Sequence, residues 1–130
     1  MPRLQVIDVP GHHRPTSYFS HCIRHGDTLY LAGQGGYSPD GVLVGPGDIA
    51  AQTRQTFANI RTILNAAGAD LCDVIKLTTF LVDARHHGTV MEIRREVFGD
   101  HAPASILCVV NALPNDGMLI AVDTIAAAPD

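Results

Sequence analysis

The chain has 130 residues, 46% of them apolar and 17% charged, and a formal net charge of −4 with histidine neutral. That length fits one hydrophobic core rather than two, and the apolar fraction excludes a disordered or fibrous chain. Nine Lys and Arg against thirteen Asp and Glu give no basic field for nucleic acid, and the single lysine, Lys76, makes no polybasic patch for an anionic membrane.

The first residues hold no apolar stretch of the kind a signal peptide needs, and no run of about 18 apolar residues occurs anywhere. Cys22, Cys72 and Cys108 are odd in number, far apart, and match no zinc or redox spacing. The expectation is a single soluble domain over residues 1–130 in a reducing, cytoplasmic compartment, with neither a membrane nor a nucleic-acid partner.

In chain order, residues 4–9 alternate as a short strand ending at Pro10-Gly11, and residues 11–17 read as a polar loop. Residues 18–23 and 28–32 flank His25-Gly26-Asp27, the chemistry of a tight hairpin turn. Gly33-Gln34-Gly35-Gly36 opens a glycine-rich connection to Gly47. It lacks the Gly-Lys-Ser/Thr of a phosphate loop. Asp48 is placed to cap a helix whose stripe is Ile49, Thr53, Phe57, Ile60, Ile63, Leu64 and Ala67, stopped by Gly68. Residues 74–82 form an apolar, β-branched strand. A second helix over about 86–98 buries Val90, Ile93, Val97 and Phe98, and leaves Arg94-Arg95 on its polar side. Strands at 104–110 and 118–126 complete the order β-β-β-α-β-α-β-β. This is an α+β plan with two helices on one face of a mixed sheet.

In Ser105-Ile106-Leu107-Cys108-Val109-Val110 both alternating faces are apolar, and Leu119-Ile120-Ala121-Val122 repeats the pattern. Two helices cover one face of a sheet, so the other face calls for a second copy of the chain. A homo-oligomer with pockets between subunits follows.

Several blocks, in order and at matching spacing, resemble the RidA (YjgF) family: Gly26-Asp27-Thr28-Leu29-Tyr30-Leu31-Ala32-Gly33-Gln34, Asp48 to Thr53 with Asn59, Asp73-Val74-Ile75-Lys76 with Thr79-Phe80-Leu81, and Phe98 to Ala104. Leu113-Pro114 and the final Asp123-Thr124-Ile125-Ala126 extend the match across nearly the whole chain. The resemblance implies a chorismate-mutase-like fold, a homotrimer, and ligand clefts at subunit interfaces. It also implies hydrolysis of enamines and imines to 2-oxo acids and ammonia, with no metal and no organic cofactor.

By the same resemblance, an arginine in a Pro-Ala-Arg-Ser motif binds the substrate carboxylate, and an acidic residue on the last strand orients the attacking water. Here the motif reads Pro103-Ala104-Ser105-Ile106, so Ser105 stands where the arginine would. The family's tyrosine becomes Phe19, or Tyr18 if the alignment slips by one. Its serine becomes Ala32 and its helix asparagine becomes Met91, while Gly33 and Gln34 are kept. Asp123 keeps the acid, one methylene shorter. Ser105, Phe19, Ala32, Met91 and Leu107 make an apolar cleft for a ligand that is larger, less charged, or anchored by another group.

Asp123 is therefore the candidate catalytic residue, and Ser105, Phe19, Ala32, Gly33, Gln34, Met91 and Leu107 are the candidate substrate-binding residues. Ser105 has no Ser-His-Asp partners and is not read as a nucleophile. Of the seven histidines, the adjacent pairs His12-His13 and His86-His87 make no natural chelate, and His21 and His25 read as exposed hairpin flanks, so no metal ligands are assigned. His12, His13 or Arg14 is the alternative polar group for the cleft. The activity expected is imine or enamine deamination. A non-catalytic small-molecule-binding trimer is the alternative, and ribonuclease activity stands last, against the acidic charge.

Overall fold

A computed structural model describes residues 3–15 and 17–130. Met1 and Pro2, at the start of the N-terminal reading, and Thr16, inside the expected 11–17 loop, lie outside the described residues. Six strands, β1 (Gln5–Val6), β2 (Cys22–His25), β3 (Thr28–Gln34), β4 (Val74–Leu81), β5 (Ala104–Val109) and β6 (Ile120–Ala127), form one sheet in the order β1-β2-β3-β6-β4-β5. Every pairing is antiparallel except β4 with β5, which are joined through the second helix as a parallel pair requires. The expected α+β plan is observed: helices α1 (Ile49–Ala66) and α2 (His87–Phe98) pack on one face of a mixed sheet.

The hairpin turn lies where its residues demand it. Gly26 takes φ +61°, and His25 pairs with Thr28 across a two-residue loop. The strand before it is Cys22–His25 rather than 18–23, because register is counted back from that turn. β1 shrinks to two residues.

α1 starts at the expected cap: the Asp48 carboxylate accepts the Ala51 N–H at 3.1 Å. Its buried side includes three polar residues, Gln52, Thr56 and Asn59, outside the expected apolar stripe. Two of these hold the glycine-rich connection. Gln52 donates to the carbonyls of Gly45 and Gly117 and accepts from the Leu119 N–H, while Asn59 donates to the carbonyls of Gly35 and Tyr37. Gly36 is required by proximity: a Cβ there would lie 2.8 Å from the Gln52 Cα.

The core lies between helices and sheet, with Leu29, Leu31, Leu77, Leu81, Ile120 and Val122 beneath Phe57, Ile60, Ile63 and Leu64. Phe57 and Phe98 join the two helices edge to face, their ring centroids 5.5 Å apart. The opposite sheet face is uncovered in the protomer, leaving Tyr30 49% and Ile106 53% exposed. Among the described residues, no helix is long and apolar enough to cross a membrane.

Candidate functional site

The spacing of α2 decides the first half of the site. Val90, Arg94 and Phe98 are four residues apart, so all three point at the sheet. Arg94, expected in solvent with Arg95, is 7% exposed, whereas Arg95 stays outside. One guanidinium nitrogen, Nη1, donates to Ser105 Oγ at 2.6 Å, and Nη2 donates to Thr79 Oγ1 at 2.7 Å. The Nε–H is buried without an acceptor. Among the described residues no carboxylate pairs with Arg94.

Burial lowers the Arg94 guanidinium below its usual value, yet arginine remains a cation at any physiological pH. A buried cation without a counterion costs several kcal/mol, so this position favours an anion. The group sits in the wall of a cavity of about 420 Å³ between α2, β5 and the 99–103 connection, with Met91, Phe98, Ser105, Ile106 and Leu107 around it. His101, in that connection, donates from Nε2 to the Val74 carbonyl at 2.7 Å and ties it to β4.

Sheet register explains which residues meet Arg94. Ser105 pairs with Leu77 and Leu107 with Thr79, so both share the helix-facing side of the sheet. Asp123 pairs with Thr78 and sits between the buried Val122 and Thr124, which puts it on the open face. Ala32, following the buried Leu31, shares that open face beside Asp123. Desolvation raises the Asp123 carboxyl above its ordinary value, partly offset by a hydrogen bond from the Thr124 backbone N–H.

A second cavity, of about 850 Å³, opens past the irregularity that shifts the β3–β6 register between Leu31 and Gln34. Phe19, Gly33 and Gln34 line it, together with His13, His21 and Tyr37. His21, expected as an exposed hairpin flank, is buried, and so is His12. Their rings and that of His13 gather as a group, tilted or edge-on to one another, with centroids 4.4, 4.9 and 5.4 Å apart. His12 and His13, which read from the sequence as no natural chelate, lie in a loop that turns both rings towards His21. Burial first, then the neighbouring imidazoles, lowers the pKa of His12 and His13 from the ordinary 6.5.

The eight expected site residues thus fall into two groups within one protomer. Met91, Ser105 and Leu107 meet at the first cavity. Phe19, Gly33 and Gln34 meet at the second, with Ala32 and Asp123 on the adjoining open face. Sequence reasoning missed Arg94, although the Val90–Arg94–Phe98 spacing carried the signal. It also missed His21 as part of a cluster, for which no local signal exists.

The family model described as Endoribonuclease L-PSP matches residues 11–128. A RutC family protein from Pyrococcus horikoshii is 38% identical over 122 residues, covering 94% of this chain and 96% of the relative. The 2-iminobutanoate/2-iminopropanoate deaminase of Rattus norvegicus is 36% identical over 108 residues, covering 83% and 78%. The crystal structure of the Rid family protein YyfA from Yersinia pestis superimposes with a TM-score of 0.91 at 31% identity, covering 97% of this chain and all of that one.

Proposed function

The chain belongs to the Endoribonuclease L-PSP (RidA/YjgF) family, and from that premise we propose that it hydrolyses a 2-imino acid, or its enamine tautomer, to a 2-oxo acid and ammonia. The observation that carries this reading is Arg94: a buried guanidinium without a counterion, 2.6 Å from Ser105, in the wall of an apolar cavity. A substrate carboxylate in that cavity supplies the missing charge. The cation absent from position 105 is thus delivered from the helix instead of the strand. Deaminase relatives at about this level of identity support the reaction class.

The two groups of residues lie on different surfaces of the protomer, which is what a cleft shared between subunits requires. In this reading the first cavity of one protomer faces the Ala32–Gln34 and Asp123 surface of a neighbour, within a homotrimer. Water adds to the carbon of the C=N bond and loses a proton to the Asp123 carboxylate, while the π electrons move to nitrogen, which takes that proton from Asp123. The resulting carbinolamine gives up its hydroxyl proton to the Asp123 carboxylate and forms a C=O bond. The C–N bond breaks, and ammonia leaves with the proton returned by Asp123. Met91, Phe98, Ile106 and Leu107 give the first cavity apolar walls that favour a substrate with a bulkier side chain.

The test is ammonia release from 2-iminobutanoate and bulkier 2-imino acids generated in situ. Wild type is expected to turn over, with preference for the bulkier members. Removing the partner of a buried carboxylate costs about 2–5 kcal/mol, so Arg94→Met should lower kcat/KM by roughly 30- to several-thousand-fold. No ammonia from any substrate with wild type would favour a non-catalytic binding protein, and unchanged turnover in Arg94→Met would remove Arg94 from the site.

A further inference from the structure

We propose that His12, His13 and His21 form a binding site for a divalent transition metal of the zinc class, open towards the cavity beside Phe19 and Tyr37. One ring nitrogen from each of the three lies within 4.8 Å of the others. The rings come from two chain segments, the loop that follows Gly11 and the residue just before β2, so the grouping is made by the tertiary fold.

Two ring nitrogens of the cluster are left with no acceptor or donor of their own. His12 Nε2 and His13 Nδ1 are buried and have no hydrogen-bond partner among the described residues. Buried ring nitrogens rarely stay unsatisfied, and a metal ion can satisfy both at once. His21 is already oriented: its Nε2–H donates to the His13 carbonyl at 2.8 Å, which leaves the lone pair on Nδ1. A backbone carbonyl holding the far nitrogen of an imidazole is the usual outer support of a metal-bound histidine. The Gln34 amide reaches Nδ1 at 3.3 Å, and it keeps the Ala32 carbonyl as an acceptor if an ion displaces it.

Ligand chemistry selects the metal. Three neutral imidazoles without a carboxylate suit zinc, copper or nickel rather than magnesium or calcium. With zinc–nitrogen bonds of 2.0–2.1 Å, tetrahedral ligand atoms stand about 3.4 Å apart, so the cluster tightens by roughly 1 Å or slightly more on binding. Three protein ligands leave a fourth position vacant. Because His13 and His21 both line the second cavity, that position faces space large enough for water or an anionic ligand.

Chelator-treated full-length protein titrated with zinc sulfate, followed by calorimetry and by competition with a chromophoric chelator, tests the site without reference to turnover. Expected are one zinc per chain, at least a tenfold loss of affinity in His13→Ala and in His12→Ala, and no change in the His86→Ala/His87→Ala double variant. The cobalt derivative of the wild type is expected to show the intense visible d–d bands of four- or five-coordination. Absence of zinc uptake, undiminished affinity in folded His13→Ala, or a six-coordinate aqua-like cobalt spectrum would overturn the proposal. The cobalt spectrum decides even if the alanine variants fail to fold. A protein that takes up no zinc yet releases ammonia would leave the deaminase reading standing and remove this one alone.

Discussion

Arg94 and Ser105 act as a unit, and substitutions at either should show it. Ser105→Ala deprives a buried guanidinium nitrogen of its acceptor and is expected to destabilise the fold by about 1–3 kcal/mol, read from denaturant unfolding. Ser105→Arg would bring a second guanidinium against the first. It should lower the melting temperature rather than recover a family-like clamp, and adding Arg94→Met should relieve the loss. At Asp123 the direction of the pKa shift sets the pH profile. Desolvation raises the carboxyl above 3.8, and the base works only when ionised, so activity should fall with decreasing pH at a higher pH than an unperturbed aspartate allows. Ionisation of a carboxyl with a raised pKa opposes folding, so the sign for stability is reversed. Asp123→Asn should abolish ammonia release while leaving the melting temperature at pH 7 unchanged or slightly higher.

At the scale of elements, α1 organises the glycine-rich connection through polar groups rather than apolar ones. Gln52→Leu leaves the Gly117 carbonyl and the Leu119 N–H without their side-chain partner, and about 2–4 kcal/mol of stability should be lost in urea unfolding. Gly36→Ala should be costly for a different reason, since its methyl group would meet helix backbone at 2.8 Å. The ends of α1 were legible because capping is local: Asp48 and Gly68 need only their own neighbours in sequence. The buried Gln52 and Asn59 were not, because their partners lie in loops 7 to 67 residues away. The same limit applies to α2. Its 3.6-residue period is plain, but charge alone points Arg94 to solvent while its position on the Val90–Phe98 row points it at the core.

For the whole molecule, the open face is the consequence that reaches furthest. β5 is an edge strand, and Ile106 on it and Tyr30 on β3 are about half exposed. Apolar edge and face together invite association. Light scattering coupled to size exclusion is expected to give the mass of three chains, and Tyr30→Asp should shift it towards one chain. If the variant becomes monomeric, ammonia release should fall with it under the proposed arrangement, in which a neighbour completes the cleft of Arg94 and Asp123. A monomeric wild type with full activity would contradict that arrangement.

The sequence by itself determined the element order, the hairpin turn, both helix stripes in outline, the family, and the apolar second face. All of these rest on contacts between residues near in the chain or on periodicity along it. The tertiary structure alone decided that Arg94 meets Ser105, that His12, His13 and His21 gather, and that Asp123 stands across the sheet from Ser105. Those relations depend on strand register and on where a loop turns its side chains. A one-residue change of register exchanges the two faces of a strand, and no local pattern records which residues end up opposite one another.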